Sequence, residues 1–184
     1  MLQTAKEIIF NRKIQKFLIS ALIILFLWVM FTVFFPVALH KLHYWTIYPQ
    51  AHISAWLLDL FGYTTRVVHY VNNCMALLEI KDSSLVCVGT GCSGVELFLI
   101  FAVFILLFKG RSSRFVWYIP LGIVLISILN IIRIIALSLI VVYAPEYLDF
   151  NHKYTFTLMV YGIIFLLWLI WAKKFQQLPN TSES

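Results

Sequence analysis

Charged side chains are scarce in this chain: they make up 12% of its 184 residues, whereas 62% of the residues are hydrophobic. The mean hydropathy is accordingly high, at +0.91. A water-soluble domain of this size needs a more polar surface, so the composition excludes a soluble globular protein. We therefore predict an integral membrane protein.

The basic residues do not form the continuous patch expected of a nucleic-acid-binding protein, although the formal net charge is +6. They lie beside apolar runs, as residues that determine membrane topology do. No nucleic acid is therefore predicted as a partner. The three basic groups are Lys6, Arg12, Lys13 and Lys16, then Lys109, Arg111 and Arg114, and finally Lys173 and Lys174.

Four apolar runs predict an all-α polytopic membrane protein that forms one membrane domain over residues 1–184. If the three basic groups face the cytoplasm, four spans are needed and both termini lie inside. The first run is longer than the apolar core of a signal peptide and no small-residue cleavage site follows it, so we expect a retained anchor. The predicted segments are TM1 at about 17–39, an outward-facing segment at about 40–91, TM2 at about 92–109, TM3 at about 115–143 and TM4 at about 153–172.

The outward-facing segment carries two patterns of its own. Apolar residues recur at helical spacing from Ile53 to Phe61, which predicts an amphipathic helix lying on the membrane surface. From Thr65 to Val88 the pattern favours short β-strands, with turn signals at Asn72-Asn73 and Asp82-Ser83-Ser84. We predict a hairpin or a three-strand meander that leads the chain to Cys92.

Cysteine is rare in the chain, and all three cysteines are predicted to lie on the outward side, where oxidation is possible. Two arrangements are open: a Cys74–Cys87 disulfide that leaves Cys92 free, or three unpaired thiols. Cys87 and Cys92 do not have the C-x-x-C spacing of thiol redox proteins, so a redox function is the weaker interpretation.

Histidines in the same region raise the question of a metal site. His40 and His43 are spaced to share a helix face, and His52 or His69 could complete a ligand set. No carboxylate or cysteine adds a recognisable ligand spacing, and neighbouring tyrosines and Trp45 favour an aromatic belt at the lipid headgroups. The sequence therefore predicts neither a metal nor a cofactor.

Cys92 stands among three glycines and two hydroxyls, in the stretch Gly89-Thr90-Gly91-Cys92-Ser93-Gly94, just before an apolar run. A thiol at a helix N-terminus meets backbone N–H groups that favour the thiolate and can bind a developing oxyanion. Gly91 and Gly94 would let a substrate backbone approach closely. Glu96, one turn further on, is expected to hold a cation.

Arg133 is the only charged residue within the long run 115–143. It lies 18 residues after Phe115, or about 27 Å along a helix, which predicts a position in the outer leaflet near the level of Cys92. Asn130 shares its helix face and could orient the guanidinium. The alternative is a purely structural Arg133–Glu96 pair.

His152 immediately precedes the last run, again on the predicted outer side. A single histidine at a helix start is more often a cap or an interfacial residue. A thiol, a cation and an imidazole at one depth, however, are the residue types that a nucleophile, an oxyanion stabiliser and a general base require. We therefore predict Cys92, Arg133 and His152 as catalytic residues.

Three motifs in this order resemble the exosortase and archaeosortase family of membrane cysteine transpeptidases, and most closely the short F-type exosortases of Bacteroidetes. They are Gly91-Cys92-Ser93-Gly94, Asn130-Ile131-Ile132-Arg133, and His152 before the last span. The resemblance covers about residues 85–170. Compared with longer exosortases, the chain is a minimal core.

The resemblance implies an enzyme of the cytoplasmic (inner) membrane with its active site at the outer face. Its substrates would be membrane-anchored proteins whose C-terminal sorting signal combines a short motif, a transmembrane helix and a basic tail. Cys92 would form a thioester and pass the protein to a lipid or envelope glycan, while Arg133 stabilises the transition state or positions the thiolate and His152 acts as general acid and base. Gly91, Ser93, Gly94, Glu96 and Asn130 would support this site.

A different class of function is also compatible with the sequence. A non-enzymatic membrane scaffold or a small transporter subunit could use Glu96 and Arg133 as a structural intramembrane pair. Such a protein would not need a reactive thiol, so the chemical environment of Cys92 separates the two interpretations.

Overall fold

The computed structural model describes residues 12–71, 74–80, 84–108 and 113–174. The described chain is mostly helical and carries one small sheet. The elements are α1 (Arg12–Phe34), α2 (Pro36–Leu60), β1 (Thr65–Val71), β2 (Cys74–Ile80), β3 (Ser84–Val88), a 3₁₀ turn (Thr90–Cys92), α3 (Val95–Leu107), α4 (Phe115–Tyr143), a helical linker made of Pro145–Tyr147, Leu148–Phe150 and the π-helical turn Asn151–Thr155, and α5 (Phe156–Lys174).

Two stretches of the described chain are long and apolar enough to cross a membrane, at Phe115–Tyr143 and Pro145–Lys173. A third span results if the bent pair Leu22–Phe34 and Pro36–Leu60 is counted as one. The helix Val95–Leu107 has 13 residues, about 20 Å, which is less than the hydrocarbon thickness of about 30 Å. The protein is therefore a multi-pass helical membrane protein with two to three candidate spans, and the four-span arrangement with both ends inside stays a prediction.

The first predicted span, 17–39, is not one straight helix. α1 ends at Phe34 and α2 begins at Pro36, and the two axes differ by 99°. Proline lacks a backbone N–H and disfavours the helical conformation in the residue before it, and Phe35 accordingly has φ −126° and ψ 52°. The predicted single helix over 17–39 is therefore wrong from Phe35 onwards, because residues 36–39 belong to α2.

α2 contains the predicted amphipathic helix but is much longer. Its buried face follows helical spacing and packs against β1, β2 and α4. The predicted apolar stripe lies outside this face, because Trp56, Leu60 and Phe61 are exposed. An exposed stripe is what a helix lying on a lipid surface requires, and that location stays a prediction. The buried residues are His43, Ile47, Gln50, Ala51, Ser54, Ala55 and Leu58.

The predicted three-strand meander is confirmed. Both strand pairs are antiparallel, in the order β1-β2-β3, with Leu78 of β2 opposite Val67 on one side and Val86 on the other. The predicted turn residues Asn72-Asn73 and Asp82-Ser83 lie outside the described residues. The buried face of the sheet forms one core with Ile47 of α2 and Ile134 of α4. This core holds the strand that delivers the chain to Cys92.

The cysteine arrangement left open by the sequence is resolved in the structure. Cys74 and Cys87 form a disulfide that joins β2 to β3, with the Cα atoms 5.4 Å apart. Cys92 is the free cysteine and its side chain is buried. The free thiol found among the described cysteines therefore belongs to the glycine-rich turn.

A second core joins α3, α4 and α5 below the sheet. Phe101 of α3 is fully buried against Gly122 of α4, where an added methyl group would overlap the aromatic ring. Two hydrogen bonds fix the far end: Tyr118 Oη donates to Leu167 O at 2.9 Å, and Trp171 Nε1 donates to Phe108 O at 3.0 Å. The three helices are thereby held in a register that brings their other ends together around Cys92.

Candidate active site

Cys92 ends a 3₁₀ turn and precedes α3. Its backbone N–H donates to Gly89 O at 2.9 Å, and the Ser93 N–H donates to Thr90 O at 3.0 Å. Gly94 then adopts φ 76°, and regular helix begins only at Val95. The predicted helix start at Cys92 is thus three residues early, because the left-handed residue Gly94 interrupts the helix. The N–H groups of Cys92 and Ser93 are used inside the turn and are not the oxyanion donors that the sequence predicted.

Gly94 is required at its position for two reasons. Its φ lies in the left-handed region, and a Cβ atom there would overlap the Asn130 amide and press on the Phe98 ring. Asn130 is buried, and neither of its amide atoms has a hydrogen-bond partner. Asn130 therefore packs against the cysteine turn. The sequence suggested that it orients the Arg133 guanidinium, but no hydrogen bond joins the two described side chains.

The structure brings Cys92 and His152 into contact. The Cys92 Sγ atom is 3.9 Å from His152 Nε2, within the longer range that hydrogen bonds to sulfur span. Cys92 is only 5% exposed, whereas His152 lies in the exposed π-helical turn that leads into α5. Residues 60 positions apart in sequence thus meet as a thiol and an imidazole.

Arg133 lies beside this pair and is 8% exposed. Its Nη2 atom donates to the backbone carbonyl of His152 at 3.5 Å, which ties α4 to the turn that carries the imidazole. Its Nε atom is buried without a hydrogen-bond partner. One N–H donor of the Arg133 guanidinium is thus left unused inside the protein.

Glu96 does not pair with Arg133. The Glu96 Oε1 atom is 3.6 Å from His43 Nε2, and no ion pair joins Glu96 to Arg133 in the parts of the chain that the structure describes. The arrangement that the scaffold interpretation needs is therefore missing. Both side chains nevertheless border the same cavity.

Three influences act on the pKa of the Cys92 thiol, which lies before the first residue of α3. Burial raises the pKa of Cys92 above its ordinary value, and the Arg133 charge and a backbone hydrogen bond from Gly89 oppose this by lowering it. The sequence predicted a thiolate favoured by the helix N-terminus, but burial has the larger effect. A raised pKa favours the thiol over the thiolate, so a neighbouring base would assist the activation of Cys92.

A cavity of about 260 Å³ opens beside Gly91, the residue before Cys92. It lies between the start of α3, Arg133 of α4 and the first turns of α5, and of the three predicted catalytic residues Arg133 contributes to its lining. A Cβ atom added to Gly91 would meet no other atom within 4 Å, which shows that this glycine borders open space. The lining residues are Gly91, Gly94, Glu96, Leu97, Arg133, Thr157, Val160 and Tyr161.

His43 is a site residue that sequence reasoning missed. In the sequence it stands beside a predicted aromatic belt, but in the structure it is buried and its Nδ1 atom is 2.7 Å from Ser93 Oγ. Gln50 reaches the same residue, with Nε2 3.4 Å from the Ser93 carbonyl oxygen. The usable signal was the seven-residue spacing of two polar side chains, with Ile47 between them on one helix face.

The histidines whose spacing raised the question of a metal site lie in separate places. His52 Nε2 and His69 Nε2 are 3.1 Å apart, while His43 is engaged with Ser93 and Glu96. Within the described ranges, no three metal-ligating side chains come together. The His52–His69 contact is therefore a pair without a third ligand.

A family model described as a transmembrane exosortase matches residues 9–171, which covers most of the chain and contains Cys92, Arg133 and His152. No curated protein and no solved structure matches the chain.

Proposed function

Because the chain belongs to the transmembrane exosortase family, we propose that it is a membrane-embedded sorting cysteine protease and transpeptidase whose catalytic residues are Cys92, Arg133 and His152. One observation carries the assignment of the site: the 3.9 Å contact between Cys92 Sγ and His152 Nε2, next to a buried guanidinium. A thiol beside an imidazole is the arrangement by which a base activates a sulfur nucleophile.

The first half-reaction forms a thioester. His152 Nε2 takes the proton of the Cys92 thiol, and the sulfur attacks the scissile carbonyl carbon of the substrate. When the tetrahedral intermediate collapses, its C–N bond breaks and the imidazolium gives the proton to the leaving amine nitrogen. The raised pKa of Cys92 makes this proton transfer necessary, since little thiolate is present beforehand.

The second half-reaction releases the sorted protein. His152 removes a proton from the acceptor nucleophile, which attacks the thioester carbonyl, and Cys92 leaves as the thiol after it takes that proton back. We propose a lipid or an envelope glycan as the acceptor. Transfer to such an acceptor leaves the sorted protein attached to the envelope, as a sorting function requires.

Arg133 stabilises the negative charge that develops on the carbonyl oxygen in both steps. A charge in a membrane helix costs about 2.5–3.5 kcal/mol at the bilayer centre, so it is retained where it has a role. Its Nε atom is buried and unpaired, and the side chain borders the cavity beside Gly91. Because the Cys92 and Ser93 N–H groups are engaged in the turn, the guanidinium is the donor best placed for the oxyanion.

The substrate is a membrane-anchored protein with a C-terminal signal of short motif, transmembrane helix and basic tail. The cavity between α3 and α5 receives the motif, and the substrate helix remains in the bilayer beside these two helices. We place the site at the outer face of the cytoplasmic membrane, with four spans and both termini inside. A peptide held in the same bilayer reaches the cavity without leaving the membrane.

Co-expression with a protein carrying such a signal tests the proposal. Cys92→Ala, Arg133→Ala and His152→Ala should each slow processing by about 100-fold or more, because each removes one chemical role. Full-length substrate should therefore accumulate. Immunoblotting follows the substrate, and membrane abundance of each variant shows that it has folded. Lys153→Ala is the matched control, since this exposed neighbour of His152 pairs only with Asp149 in the described structure. Normal processing by the Cys92→Ala protein would exclude the mechanism.

A further inference from the structure

Ser93 follows the proposed nucleophile and is held by more contacts than its neighbours. It is 0% exposed, and its Oγ atom is 2.7 Å from His43 Nδ1. The same oxygen accepts the Val95 N–H at 3.2 Å, and the Ser93 carbonyl accepts from Gln50 Nε2 at 3.4 Å. Both polar groups of Ser93 that face α2 are thus bonded to that helix.

His43 joins Ser93 to Glu96. It is 4% exposed, with Nδ1 facing the Ser93 hydroxyl and Nε2 facing the Glu96 carboxylate at 3.6 Å. Ser93 Oγ already accepts the Val95 N–H, so its own proton is free to donate to Nδ1. In that arrangement Nδ1 accepts the hydroxyl proton, and the other ring nitrogen, Nε2, faces the Glu96 carboxylate.

A carboxylate, a histidine and a serine in this order also occur where serine is the nucleophile of a hydrolase. Here the Ser93 hydroxyl is 0% exposed and is enclosed between His43 of α2 and the Val95 N–H. The Cys92 thiol, by contrast, contacts the exposed residue His152. The geometry therefore fits a part that fixes backbone position, not one that attacks a carbonyl.

α2 is built to make these contacts. His43 and Gln50 are two helical turns apart and belong to one buried face, which packs on β2 and α4 through Ile47, Ala51 and Leu58. The rigid core under this face means that its polar groups occupy fixed positions. α2 also contacts the 3₁₀ turn that ends at Cys92.

We propose that His43 and Gln50 are positioning residues that hold the Cys92 turn through Ser93, with the thiol in reach of His152. The inference rests on the proposed function, because it takes Cys92 as the nucleophile. The Cys92–His152 contact is long at 3.9 Å, so a further shift of the turn would separate the two groups. A displacement of 1 Å in a catalytic site can cost about 100-fold in rate.

The test compares His43→Ala, Ser93→Ala and the double variant in reconstituted membranes with a substrate of the proposed kind. Each single variant should lower kcat by about 10- to 100-fold with KM little changed, since positioning affects the chemical step. If His43 acts through Ser93, the double variant should be no slower than the slower single variant. His43→Asn, which keeps a polar atom near the position of Nδ1, should recover part of the activity.

His52→Ala is the matched control, because His52 lies on the same helix but contacts His69. It should leave kcat unchanged, and thermal unfolding in detergent shows whether the other variants remain folded. Two results would overturn the positioning role. One is a double variant whose loss in kcat equals the product of the two single losses, and the other is full activity of a folded His43→Ala protein. The proposed function would still stand if Cys92→Ala abolishes processing. An active Cys92→Ala protein combined with an inactive Ser93→Ala protein would instead overturn both this inference and the proposed function.

Discussion

At the scale of single residues, the sequence indicates which groups are unusual but not how they meet. Cys92, Arg133 and His152 stand out because each is a rare residue type in its surroundings, and all three lie at one place in the structure. His43 does not stand out, since its neighbours are typical of a headgroup belt and its partner Ser93 is 50 positions away. A contact between residues so far apart in sequence depends on how the helices pack against each other. Local sequence patterns carry no information about that packing.

Gly94→Ala tests the residue that shapes the cysteine turn. The substitution should destabilise the protein by about 1–2 kcal/mol from the left-handed backbone alone, and the overlap with Asn130 should add to this. We expect a lower unfolding temperature in detergent and loss of processing. Gly89→Ala is the control, because its φ of −95° suits any residue and its Cβ would meet no atom within 4 Å. Equal stability of the two variants would contradict this account of the turn.

At the scale of elements, long and strongly patterned segments are the predictable ones. The span predicted at about 115–143 corresponds to α4 at Phe115–Tyr143, and the meander predicted after residue 65 is present. The first span was mispredicted because its apolar run continues through Phe35 and Pro36, so hydropathy hides a bend that the proline causes. Beyond the bend, α2 carries the two side chains that contact Ser93, those of His43 and Gln50.

Gly122→Ala tests the packing of α3 on α4. The new methyl group would overlap the ring of Phe101, which is fully buried, so overpacking should cost about 1–3 kcal/mol. Gly162→Ala in α5 is the control, because it makes the same substitution where the new Cβ would meet no atom within 4 Å. The unfolding temperature of this variant should stay level or rise, since alanine favours a helix more than glycine does. The two temperatures, measured in the same detergent, should differ in this direction. A Gly122→Ala protein as stable as the Gly162→Ala protein would contradict the described helix contact.

At the scale of the whole molecule, the described chain combines a helical bundle of α3, α4 and α5 with a small sheet and the helix α2. The bundle brings α3, α4 and α5 together at one end, and the sheet with α2 covers the cysteine turn there. Composition alone is enough to predict a membrane protein. The number of spans is less predictable, because α3 is short for a bilayer and α1 and α2 are bent apart. The resulting cavity opens beside two helices that are candidate membrane spans, which fits the proposal of a membrane-anchored substrate.

The central claim is that Cys92 carries the substrate as a thioester, and the most direct measurement is the mass of that adduct. Purified protein in lipid nanodiscs is mixed with a peptide bearing the tripartite signal, without acceptor, and digested for mass spectrometry. We predict the N-terminal substrate fragment on the peptide containing Cys92, released by hydroxylamine and absent from the His152→Ala protein. Cleavage of the substrate with Cys92 unmodified, or with the adduct on Ser93, would contradict the account.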